Sequence, residues 1–184
     1  ELELERIYDR FFLPRVRGGA SGSKKRYAGL VGRDVEIVGL EAVRRDWPAA
    51  AARLQRGLLE RVFTDQPVEP FVRELVERLR RGELDHELVI RKGIRKGALE
   101  RYTQRLPPHV RAARKVAGRV DRVVRYVITH TGPEPVLRGE PFPSHVDREH
   151  YVEKVLRPVA DAILSEVGLD FSEVLGEPSQ LSLL

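Results

Sequence analysis

Cysteine is absent, so the chain holds no disulfide and no thiolate metal site. Methionine is absent too, position 1 included, which predicts that the 184 residues are a piece of a longer translation product. No apolar run approaches the ~20 residues needed to span a bilayer, so no membrane partner is expected. His86, His109, His130, His145 and His150 share no ligand spacing such as H-x-x-x-H, and no metal site is expected from them. Neither a Ser-His-Asp order nor a pair of glycine-flanked carboxylates presents itself, so no catalytic residue is assigned. With these classes set aside, the default is a cytoplasmic protein.

What is present is charge and enough apolar material for a core. The 33 Lys and Arg outnumber 28 Asp and Glu, for a net charge of +5 and a pI near 9.7. That balance suits a polyanionic partner, although a basic pI alone fits nucleic acid, an anionic membrane surface or no partner at all. Apolar residues make up 41%, sufficient for one domain or two small ones.

The cations are not scattered evenly. Ser23-Lys24-Lys25-Arg26-Tyr27-Ala28-Gly29-Leu30 runs three cations into an aromatic and a short apolar strand. Lys and Arg neutralise phosphates, and a Tyr ring can stack on a sugar or pack beneath the cations. A solvated basic turn is the alternative. The glycines before it do not make a Walker A loop, because Gly22 is followed by Ser23 and the lysine by another lysine. A flexible loop delivering the basic strand is the expectation. A second cluster, Arg44-Arg45-Asp46-Trp47, reads either as a local ion pair beside an indole or as a phosphate clamp whose carboxylate orients one guanidinium.

Periodicity supplies the elements. Alternation at Leu2 and Leu4 predicts a strand, and the cluster Ile7 to Leu13 a helical segment ending at Pro14. Arg26–Val31 and Val35–Leu40, split by Gly32-Arg33-Asp34, predict a β-hairpin; together these pieces would form the edge of a small antiparallel sheet carrying the basic strand. Spacings of three and four predict helices over 48–63, with Pro48 at the first helical position, and over 68–81, ending at Gly82. Leu88–Lys96 is read as extended, with Arg91, Lys92, Arg95 and Lys96 projecting. Short helices are expected at 98–105 and from Pro107-Pro108 through 117, the latter carrying Arg111, and a strand at 121–129. Gly132–Pro143 reads as a loop, followed by a long helix capped by Ser144 or Asp147, striped by Tyr151, Val152, Val155, Leu156, Val159, Ile163, Leu164 and Val167, and kinked at Pro158. From Gly168 the chain is expected to fray.

Four of these stretches together carry a resemblance. SGSKKRYAGL is similar to the lysine-tyrosine motif of family B DNA polymerases, and Gly39-Leu40-Glu41-Ala42-Val43-Arg44-Arg45-Asp46-Trp47 to the passage from palm to thumb in that family. Pro107-Pro108-His109-Val110-Arg111-Ala112-Ala113-Arg114 resembles a thumb helix, and Gln180-Leu181-Ser182-Leu183-Leu184 resembles the peptide by which bacterial replication proteins dock on the sliding clamp, with Leu184 where Phe is usual. The matches occur in the family's order and resemble a bacterial branch of it.

The resemblance implies an α+β fold: a small antiparallel palm sheet edge followed by a mostly helical thumb. Residues 1–46 would end the palm, 47–176 form the thumb and 177–184 a flexible tail with the clamp-binding peptide. Its DNA-binding residues would be Lys24, Lys25, Arg26, Tyr27, Arg44, Arg45, Lys92, Arg95, Lys96 and Arg111, and its clamp-binding residues Gln180, Leu181, Leu183 and Leu184. Tyr27 and Trp47 would position the neighbouring cations. Implied partners are primer-template duplex DNA, the bacterial sliding clamp, and upstream palm, fingers and exonuclease domains; the implied location is cytoplasmic, at the nucleoid. The Y-G-D-T-D-type aspartates that hold two Mg²⁺ in the parent polymerase are missing, so this piece alone would be inactive in nucleotide addition. Two other classes fit the same cations: an accessory or free-standing duplex-binding module of a split polymerase, and a scaffold whose helices contact proteins, which would have no salt-dependent DNA affinity.

Overall fold

Tyr27–Val31 (β2) is the central strand of a three-stranded antiparallel sheet, paired on one side with Arg10–Phe12 (β1) and on the other with Asp34–Val38 (β3). In the computed structural model, residues 6–14, 25–94, 106–116, 119 and 122–177 are described. The two-residue turn between β2 and β3 has Gly32 at positive φ, as a tight hairpin requires. The basic strand is thus flanked on both sides, within the small antiparallel sheet expected of these pieces. The predicted strand at Leu2 and Leu4 and the glycine loop 18–23 lie outside the described residues.

The helical segment predicted over Ile7–Leu13 is instead strand β1. Phe12, opposite Ala28, enters the core, while Phe11, opposite Gly29, faces outward. So short an apolar cluster cannot distinguish the two periods, and pairing with β2 decides the outcome. Gly29 is needed for that packing: a side chain there would collide with the Tyr8 ring.

Ala49–Phe63 (α1) and Glu69–Arg80 (α2) form as predicted, except that Pro48 stands at the N-cap and not inside the helix. Leu54, Leu58 and Leu59 of α1 and Val72, Val76 and Leu79 of α2 are fully buried, each contributing about 1.5–3 kcal/mol. The helices approach closely at Gly57, where a methyl group would strike the Phe71 ring, and the Arg61 guanidinium lies 4.0 Å above the same ring.

A second antiparallel sheet, in the order β4-β5-β6, comprises Ile90–Gly93 (β4), Val123–Thr129 (β5) and Gly132–Pro135 (β6). The region after residue 47 is therefore mixed, with a three-stranded sheet among its helices. Strand β6 lies inside the stretch expected to be loop. Its Pro133 and Pro135 hid it, yet an edge strand tolerates residues without N–H donors. Pro108–Lys115 (α3) covers one face of this sheet, burying Ala112 and Ala113 against Val124 and Tyr126. The helix expected at 98–105 falls outside the described residues.

The last long helix begins at Arg148–Tyr151 (α4), capped by Asp147, whose carboxylate accepts the His150 N–H at 3.0 Å. Residues 152–156 then widen into a π turn in which the Arg157 N–H donates to the Val152 carbonyl. Pro158 has no N–H for the Lys154 carbonyl, which accounts for the distortion just before Arg157–Leu164 (α5). Val167 is exposed and Val155 half-buried, so the apolar stripe is narrower than predicted.

The chain does not fray at Gly168. Phe171–Leu175 (α6) is a helix with a capping box between Asp170 and Glu173, and Phe171 and Val174 are buried. The D-x-x-E spacing before an apolar pair was the available signal. Phe12, Ala28 and Leu30 of the first sheet share one buried cluster with α1, α2 and the C-terminal helices. No helix among the described residues is long and apolar enough to cross a membrane.

Candidate nucleic-acid interface

The first sheet delivers its basic end to the start of α1. Gly39, at positive φ, closes the hairpin so tightly that a side chain would meet the Lys25 carbonyl. Lys25 is exposed and makes no ion pair among the described residues. Arg26 is tethered: its guanidinium donates to Glu41, which also accepts from Gln55 Nε2 at 2.8 Å, while Gln55 Oε1 accepts the Ala42 N–H at 2.7 Å. Gln55 is buried in α1, and Arg26 Nε is buried without a partner. Arg26 therefore serves first as a strut between the basic strand and α1. Tyr27 stacks on Phe11 with ring centroids 5.3 Å apart and meets the edge of Tyr8 at 6.0 Å. It belongs to an aromatic cluster on the sheet and adjoins the cations through the backbone.

The second cluster is joined by a strand that is remote in sequence. Arg44 Nε donates to Asp46 Oδ1 at 3.1 Å and Nη2 to Oδ2 at 2.9 Å, the two-pronged geometry of a guanidinium on a carboxylate. Lys92 Nζ, on β4, donates to Asp46 Oδ2 at 2.8 Å. Arg45 is exposed with no ion pair among the described residues, and Trp47 is half-buried between cavities of about 580 and 370 Å³. His109, on α3, is shifted below its ordinary pKa, first by burial and then by the charge on Lys92. Arg111 is exposed on α3, with its guanidinium against Gly132. Lys24, Arg95 and Lys96, and Gln180, Leu181, Leu183 and Leu184, lie outside the described residues.

The structure thus brings Arg44, Asp46 and Lys92 together, ties Arg26 to Glu41, and leaves Lys25 and Arg45 facing solvent. The Arg44–Asp46 pairing was legible from adjacency. The Lys92 contact and the Glu41–Gln55 bracket depend on how β4 and α1 pack, which has no local signature.

Arg44 first, and Lys92 second, hold the Asp46 carboxyl down at about 2. The folded-state pKa lies below the ordinary 3.8, so this stabilisation is fully present above that value and is lost as pH falls from about 4 to about 2. Asp46→Asn should cost ~1–2 kcal/mol near neutral pH, discounted for the exposure of both cations, and should flatten this part of the acid limb. Urea unfolding at neutral and acid pH would measure it; an unaltered pH profile would assign the acid sensitivity elsewhere.

No three or more His, Asp or Glu side chains converge as metal donors among the described residues. What the arrangement offers is exposed cations in the turns before β2 and α1, with Arg44 and Lys92 sharing Asp46.

The family model described as DNA polymerase family B matches residues 1–165. DNA polymerase II of Escherichia coli (strain K12) is 40% identical, over 95% of this chain and 24% of that protein. DNA polymerase 2 of Aeropyrum pernix is 32% identical, over the whole chain and 24% of that protein. Among solved structures, the family B DNA polymerase from the hyperthermophilic archaeon Pyrobaculum calidifontis superposes with a TM-score of 0.67 at 28% identity, covering 91% of this chain and 23% of that one. The chain spans about a quarter of the length of these relatives. With its mixed fold and two small antiparallel sheets, the chain belongs to the family B DNA polymerases.

Proposed function

We propose that this chain is the duplex-gripping part of a template-directed DNA polymerase, with residues 1–46 the end of the palm, 47–176 the thumb and 177–184 a tail for the sliding clamp. The observation that carries the proposal is the exposure of Lys25, in the turn leading into β2, and of Arg44 and Arg45, in the turn leading into α1. Such cations neutralise phosphates without reading bases, as a polymerase translocating along any sequence requires. The addition of deoxynucleotides would belong to the longer polymerase. Two-metal phosphoryl transfer needs a carboxylate set of the Y-G-D-T-D type, and this sequence offers none to hold the Mg²⁺ ions. The role of these residues would be to orient and retain DNA. Titration with primer-template duplex at increasing salt tests the proposal: affinity should fall linearly in log–log form, and salt-insensitive or absent binding would favour a protein-contacting scaffold.

The tail carries its own expectation. Gln180 offers donor and acceptor to a polar pocket, and Leu181, Leu183 and Leu184 can enter an apolar groove as anchors. Leu184 buries less area than Phe would, so binding should be weaker by ~1 kcal/mol than for a Leu184→Phe peptide. A peptide of residues 176–184 titrated against a bacterial clamp should bind saturably and lose binding with Gln180→Ala or Leu183→Ala. No binding at tens of micromolar would remove the clamp as partner.

A further inference from the structure

The strand register of the second sheet sets Arg91 directly opposite Arg125, so the two side chains share one face. That face is the solvent-exposed one at this end of the sheet: Val123 and Arg125 are exposed while Val124 and Tyr126 are buried beneath. Arg122, just before β5, is exposed as well, and its carbonyl accepts the Ile94 N–H at 2.7 Å. None of the three guanidinium groups has an ion-pair or hydrogen-bond partner among the described residues. Nearby carboxylates are otherwise engaged, Glu134 by Lys115 and Glu140 by Arg119.

Like charges facing each other across a sheet are destabilising, and a bridging anion reverses the sign. The next pair along the same face is Gly93 and Val123; a side chain at Gly93 would meet only the Arg122 carbonyl at 3.9 Å, and Val123 is 45% exposed. The face therefore sets a cross-strand pair of arginines beside a low apolar shelf, which fits a phosphodiester whose sugar lies on the shelf. We propose that Arg91 and Arg125 together hold a single backbone phosphate of the bound duplex, a contact separate from the Lys25, Arg44 and Arg45 group. This rests on the duplex-gripping proposal for its ligand.

Both residues are exposed, so Arg91→Gln, Arg125→Gln and the double variant should fold, as far-UV circular dichroism would check. With primer-template duplex, each single variant should reduce the slope of log K against log salt by about 0.9, and the double variant by no more than that, because one phosphate is lost in every case. An unchanged slope in the double variant overturns the contact. A loss of about 1.8 in the double variant overturns the shared phosphate, since it means two. Thermal unfolding with inorganic phosphate separates the failures. If the unsubstituted chain does not bind duplex, the gripping proposal itself fails. Phosphate stabilisation that disappears in the double variant, without any change in duplex binding, would assign the pair to a free anion and overturn the phosphodiester assignment.

Discussion

Replacing Lys25, Arg44 and Arg45 together by alanine is expected to weaken binding of primer-template duplex on the order of 100- to 1,000-fold near 0.1 M salt and to reduce the salt slope by about 2.7, if each cation neutralises one phosphate. Lys25 and Arg45 have no competing carboxylate among the described residues, and Arg44 is held by Asp46 while remaining 45% exposed. Arg26 is left out on purpose. Its removal would strand Glu41 and Gln55 at a half-buried bracket and confound a loss of grip with a loss of fold. Arg78→Ala, which breaks only a surface pair with Glu83 on α2, serves as the control and should leave the slope unchanged. A triple variant that behaves like this control would refute the assignment of the cluster.

The largest effect on stability is expected at Tyr151. Its ring is fully buried where α4 meets the second sheet, and its hydroxyl accepts the Ile128 N–H at 2.8 Å. Burial pushes the phenol well above its ordinary pKa, so it stays neutral across the working range. Tyr151→Phe retains the ring but leaves the Ile128 N–H unpaired in the interior, at about 1–3 kcal/mol. Tyr151→Ala adds an unfilled cavity and should cost ~3–5 kcal/mol. Denaturant midpoints at constant slope would measure both. Equal losses for the two variants would mean that the hydrogen bond, and not the packed ring, holds β5 to the C-terminal helix. Beside this contact the Asp147 N–H donates to the Ile128 carbonyl at 3.0 Å, a second tie between β5 and the start of the C-terminal helix.

By itself the sequence determined the long helices, the hairpin, the family resemblance and the adjacency of Arg44 and Asp46. Each is a local property: apolar residues at spacings of three and four, a Gly-containing turn between β-branched runs, or a motif read in one stretch. Local signals failed where an element was short and its neighbour decided it. Strand β1 depends on the offered edge of β2, β6 on being an outermost strand that tolerates two prolines, and α6 on a core surface where Phe171 can bury. Only the tertiary structure decided what the cations do. Glu41 captures Arg26, Asp46 joins Lys92 to Arg44 across 46 residues, and the register sets Arg91 against Arg125. The physical reason is that burial and ladder hydrogen bonds choose the strand pairing, and charged side chains are then carried to whatever partners that pairing presents.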